Sequence, residues 1–154
     1  MKRIKSIIAV AVVAACCVTA ASAQTWNPQQ TAVWQVVQKT WEMDQKQDGS
    51  WMSSMTHANV AGWGMQFPAP RNQQSMARWA KFNHESNKIL MMELAPLSIA
   101  TSEHAAVAHY YYTTVTQGHD GKRTTENGYC SDTLVKQGDG WVFLGWNCGE
   151  VPSK

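Results

Sequence analysis

Charge is what this chain has least of. Asp, Glu, Lys and Arg make up only 16% of its 154 residues, against the usual quarter. Its one basic cluster, Lys2, Arg3 and Lys5, sits at the N-terminus, and the formal net charge is only +2. A near-neutral domain lacks the Lys/Arg face that nucleic acid requires, so no nucleic-acid partner is expected. Long apolar runs are missing too. The longest, Ile7 to Val18, has 12 residues, too short for a bilayer core that needs about 20. There is no His/Cys spacing of the H-x3-H or C-x2-C kind, so no metal site is expected. No Gly-rich phosphate loop or G-x-S-x-G elbow is present either, and no cofactor is expected. What the chain does have is eight Trp and eight Met. That composition excludes disorder and coiled coil, and points to a compact core or cavity rich in aromatic side chains.

The first segment reads as an export signal. Lys2, Arg3 and Lys5 precede the apolar run, and Ala21-Ser22-Ala23 places small residues at −3 and −1 of a cut after Ala23. Residues 1–23 are therefore expected to be a secretory signal peptide and 24–154 one domain. Val13-Ala14-Ala15-Cys16 also resembles a lipobox, in which Cys16 would carry a lipid and anchor the domain to a membrane. Both readings place the mature protein in the periplasm or outside the cell.

After Ala23 only Cys130 and Cys148 remain. In an exported protein such a pair reads as a disulfide. Thr133–Val135 and Val142–Leu144 read as strands around Gln137-Gly138-Asp139-Gly140, and a hairpin closing there sets Cys130 opposite Cys148. The alternative, a catalytic thiol, needs a partner His and a reducing setting.

Asn27-Pro28-Gln29-Gln30 supplies an N-cap, a Pro at the first helical position and a Gln that reaches back. Val33, Trp34, Val37 and Trp41 follow at helical spacing, and Lys46-Gln47-Asp48-Gly49 is expected to stop the helix, with Gly49 in a left-handed conformation. A short Trp51–Met55 turn, a strand from His57 to Trp63 and a helix from about Gln73 to His84 come next. From Lys88 the period becomes two: strands are expected over 89–99, 105–116, 123–136 and 141–148. Helices followed by an antiparallel meander predict an α+β fold.

Three stretches resemble the nuclear-transport-factor-2-like superfamily, in particular its SnoaL-like branch. They are the first helix with Asp48 and Trp51, the Trp63-Gly64…Phe67-Pro68-Ala69-Pro70-Arg71 segment, and the C-terminal half. There Ala105-Ala106-Val107-Ala108-His109-Tyr110 resembles an alternating "A-x-V-x-Y" strand, and Ser131-Asp132-Thr133-Leu134-Val135-Lys136…Asp139-Gly140-Trp141 a "T-D-x-hydrophobic-V-K…D-G-x-W" hairpin. The chain departs at Gly145-Trp146-Asn147-Cys148, where many relatives carry His or Gln. The resemblance implies a cone-shaped, curved antiparallel sheet with N-terminal helices packed on its concave face around a cavity. It also implies a homodimer packed through the sheet's outer face. The cone serves isomerases, dehydratases and cyclases as well as binding modules, so the lining must decide the function.

Candidate lining residues follow from strand pairing. With Gln117 opposite Lys122, His109 faces Cys130 and lies diagonal to Asp132. Trp146, opposite Asp132, and Tyr111 then share that face. A His109–Asp132 couple is a candidate general acid–base pair, because a carboxylate orients and charges an imidazole. A one-residue slip would break it. By likeness, His57 and Trp63 belong to the cavity rim, where they would bind by hydrogen bonding and stacking. Arg71 reads as a solvated loop residue or a clamp for an anion. His84, His104 and His119 read as surface groups, and the Trp stripe of the first helix as core. Three functions are expected: an exported domain holding a small apolar or aromatic molecule, a cofactor-free isomerase, dehydratase or cyclase, or a structural role in which the exposed aromatic sheet face builds a dimer.

Overall fold

The computed structural model describes residues 25–64 and 67–151; the expected signal peptide with Cys16 and the Gln24 terminus lie outside them. Helix α1 spans Pro28–Gln45 and opens as its sequence dictates. The Asn27 side chain accepts from the Gln30 amide, and the Gln30 side chain accepts from the Asn27 amide in return. The Gln30 side-chain nitrogen then donates to the Ile99 carbonyl at 2.7 Å, tying the start of the helix to the sheet. The helix stops at the expected segment. Lys46 is its C-cap, and Gln47, not Gly49, takes the left-handed conformation (φ 59°). Gln47 is held there by its own amide group, which donates to the carbonyls of His84 and Asn87.

Helix α2 (Trp51–Ser54) leads into strand β1 (Thr56–Trp63). Strand β2 (Arg71–Asn72), helix α3 (Gln73–Ser86), β3 (Asn87–Thr101), β4 (Ala105–Gly118), β5 (Arg123–Gln137) and β6 (Gly140–Glu150) follow. The six strands form one sheet in the order β2-β1-β6-β5-β4-β3. The sheet is curved and unclosed. It is mixed rather than purely antiparallel, because β1 runs parallel to β6. The C-terminal meander is antiparallel as expected; the crossover from β1 through α3 carries the chain to the far edge and back.

The helices cover one face of the sheet, and the core lies between them. Val33 and Val37 of α1 and Ala108 and Leu134 of the sheet are wholly inaccessible, the valines and the leucine contributing about 1.5–3 kcal/mol each. Alternation along β4 is strict: Ala106, Ala108, Tyr110, Tyr112 and Thr114 are buried inward, while His109 and Tyr111 are exposed outward.

Two hairpins depart from the expected pairing by one residue, with opposite consequences. Between β4 and β5 the loop is one residue longer, so Gln117 pairs with Arg123 and His109 with Ser131. Between β5 and β6 the turn is tighter, with Gln137 opposite Gly140, but a bulge at Leu144 restores the offset. Cys130 therefore pairs with Cys148, and Asp132 with Trp146. The Cys130–Cys148 disulfide is formed, with Cα atoms 4.1 Å apart.

Candidate functional site

A pocket of about 280 Å³ opens between α1, α3 and the inner face of the sheet. Its walls are mostly aromatic. Trp41 of α1 packs on Tyr112 with ring centroids 5.0 Å apart and meets Tyr110 edge-on at 6.4 Å. Trp146 contacts Trp51 at 6.0 Å and Phe143 at 6.1 Å. Trp79 and Phe67 close the opposite side, 5.3 Å apart. The Trp stripe of α1 is thus divided: Trp34 packs against the core and Tyr110, while Trp41 lines the pocket.

At the base lies Asp132, 2% exposed. Burial raises its carboxyl group from the usual carboxylate range to about 7, and a hydrogen bond from Tyr110 opposes that rise. Tyr110 is itself buried, and it accepts the Trp41 indole N–H at 2.8 Å. Its hydroxyl is held well above its ordinary pKa by burial and by the neighbouring Asp132. The result is a chain of donors, Trp41 to Tyr110 to Asp132, ending on a carboxyl group poised near neutral pH. Such a group can take or give a proton where water is excluded. Tyr110 and Asp132 meet because Tyr110 pairs with Cys130 and Asp132 with Ala108, which makes them diagonal neighbours on the inner face.

The His109–Asp132 couple is not formed. The register places His109 on the outer face, where its Nδ1 lies 2.8 Å from the Ser131 hydroxyl, while Asp132 points inward. Tyr111 is likewise outward and 47% exposed. His57 and Trp63 do not line the pocket. His57 Nδ1 accepts the Asn59 amide, and the Trp63 indole donates to the Phe67 carbonyl at 2.8 Å, bracing the loop that precedes β2. Trp146 and Asp132 are the two expected site residues that the pocket brings together.

Two groups were not legible, and a third, Arg71, has two readings in the sequence. Asp44 lines the pocket and binds His84 Nε2 at 2.8 Å. His84, read as a surface residue, is thus the histidine that meets an aspartate. Tyr112 donates to Glu126 at 2.5 Å, and burial with that carboxylate drives its pKa upward. Arg71 is no solvated loop residue: its guanidinium lies 3.3 Å above the Phe67 ring and 4.6 Å from the Trp79 ring. The Asp44–His84 contact joins residues 40 apart and the Tyr112–Glu126 contact residues 14 apart, which no local spacing encodes, whereas Arg71 is held by Phe67 and Trp79, close to it in sequence.

No family model and no curated protein matches the chain. Solved structures do. A ketosteroid isomerase-like protein from Erwinia carotovora atroseptica superposes with a TM-score of 0.73 at 13% identity, over 83% of this chain and all of the other. A nuclear transport factor 2-like superfamily protein from Salmonella enterica gives 0.68 at 15% identity, over 81% and 92% of the two chains. A third, an NTF2-like protein of unknown function in nutrient uptake from Rhodospirillum rubrum, gives 0.67 at 15%, over 78% and 98%. The fold is that of the nuclear-transport-factor-2-like proteins. At these identities the likeness extends to architecture alone.

Proposed function

We propose that this chain is an exported domain that binds a small, largely apolar or aromatic molecule in the pocket between α1, α3 and the sheet. The observation that carries it is the lining: Trp41, Trp51, Trp79, Phe143 and Trp146 surround one deeply buried carboxyl group. An apolar cavity with a few converging polar groups is the usual form of a small-molecule site. Export is supported by the Cys130–Cys148 disulfide, which fits an oxidising compartment, and by the signal-like segment 1–23.

A second reading, cofactor-free proton transfer of the isomerase or dehydratase type, is favoured by Asp132. The enzyme-like neighbour in fold supports it, and so does a carboxyl group poised near pH 7 with Tyr110 beside it. In this reading Asp132 moves the proton, and Tyr110, whose hydroxyl donates to it, holds the carboxyl group in place. Native mass spectrometry of protein purified without added ligand tests the first reading, since a co-purified small molecule lost on Trp146→Ala supports it. The second is tested on that molecule. Asp132→Asn should bind it within about tenfold of the parent while turnover falls by about 10²–10⁴; unchanged turnover would dismiss the enzyme.

The outer face supports a further expectation. Tyr111 and Tyr129 pair across β4 and β5 and are each 47% exposed, which suits a second copy of the chain packed on that face.

A further inference from the structure

Four residues lie in one row across the inner face. Arg71 pairs with Gly62 between β2 and β1, Gly62 with Trp146 between β1 and β6, and Trp146 with Asp132 between β6 and β5. Residues paired directly across strands point to the same face. With neighbouring strands about 4.8 Å apart, three steps separate the backbones of Arg71 and Asp132 by about 14 Å. Between them Gly62 has no side chain. A Cβ at that position would run into the Trp146 ring and the Met76 sulfur, so the indole lies across the row. A cation therefore stands at one end, an acid at the other, and a flat aromatic surface between.

The guanidinium is oriented but not neutralised. Phe67 and Trp79 hold its plane through cation–π contacts. Its Nη1 is closed to solvent and has no hydrogen-bond partner among the described residues. Five N–H donors in a fixed fork call for acceptors. The pocket's own carboxylates are otherwise engaged: Asp44 with His84 and with the Trp51 indole, Asp132 with Tyr110. Arg71 forms no salt bridge among the described residues.

We propose that the molecule this pocket takes is a small planar carboxylate, with its carboxylate on Arg71, its apolar ring on the Trp146 indole and its far end at Asp132. This rests on the ligand-binding reading above and names its substrate class. The paired N–H groups of a guanidinium match the two oxygens of a carboxylate. A pocket of about 280 Å³ is at the small end of such sites, which suits a one- or two-ring acid. Asp132, largely protonated below pH 7, does not repel an anion entering at the other end.

The test uses 2-naphthoate and its neutral isostere 2-naphthamide as probes, with affinities read by quenching of tryptophan fluorescence and by calorimetry. The full mature chain should bind naphthoate about 10–100-fold more tightly than the amide, the scale of a charge-assisted pair. Arg71→Gln should abolish that preference, bringing naphthoate down to the affinity of the amide. Arg71→Lys should keep part of it, and Asp132→Asn should leave it intact. Circular dichroism of each variant establishes that the fold persists. Equal affinity for the two probes, or a preference that survives Arg71→Gln, overturns the carboxylate proposal and leaves the pocket reading standing. Failure of both probes to bind at millimolar concentration overturns both.

Discussion

Replacing Asp132 by Asn should stabilise the protein at pH 8 relative to pH 4, and the size follows from burial. In the unfolded chain an aspartate titrates near 3.9; in the folded protein Asp132 titrates near 7. Between those values the folded state holds a proton that the unfolded state has released. Its bound-proton count is the larger one, so stability falls as pH rises. The slope is at most about 1.4 kcal/mol per pH unit and acts over roughly three units, so about 4 kcal/mol is lost between pH 4 and 7. Above pH 7 the loss levels off. Asparagine has no such titration. It still accepts from the Tyr110 hydroxyl, and its extra buried N–H donor costs about 1–3 kcal/mol at every pH. The informative quantity is therefore the change in the mutant-minus-parent difference, not its sign at one pH. Urea unfolding followed by tryptophan fluorescence, at unit steps from pH 4 to 8, reads it directly. The other titrating groups are common to both proteins and cancel. Parallel stability profiles would refute the reasoning, because they would mean that Asp132 is ionised in the folded protein throughout.

Tyr110→Phe removes the hydroxyl that donates to Asp132 and accepts from Trp41; it should cost about 1–3 kcal/mol. It should also move the Asp132 midpoint in the same pH profile upward. Replacing Cys130 and Cys148 together by Ser should cost about 3 kcal/mol, the loop-entropy scale for residues 18 apart, and thiol titration of the unreduced parent should find no free thiol in the mature chain. Tyr111→Lys combined with Tyr129→Lys should convert a dimer to a monomer in sedimentation, with ligand binding unchanged; a monomeric parent would dispose of the outer-face dimer. Intact mass of exported protein should place its first residue at Gln24, whereas a lipid-modified Cys16 would establish an anchored form.

The distance between what could be read from the sequence and what could not comes down to single residues. The capping of α1 is local chemistry, confined to Asn27, Pro28 and Gln30, and the structure contains it as written. Period-two alternation likewise places the four long strands within about two residues. Register is a different kind of quantity, because a loop one residue longer turns every later side chain to the opposite face. In the β5–β6 hairpin the tight turn at Gly138 (φ 62°) is offset by the bulge at Leu144. Cys130 still meets Cys148, and Trp146 still meets Asp132. In the β4–β5 hairpin the extra residue, next to Gly121 at φ 78°, has no compensating bulge. The offset runs the length of the ladder and exchanges His109 for Tyr110 opposite Cys130. The consequence is chemical: imidazole beside a carboxylate would have made an ion pair in the pocket, whereas a phenol beside a buried carboxyl group makes a neutral hydrogen-bonded pair. Nothing in either strand's own sequence distinguishes these outcomes. What does is the demand of the core, since the inner positions of β4 must accept Ala106 and Ala108 under α1, and that demand leaves His109 in water.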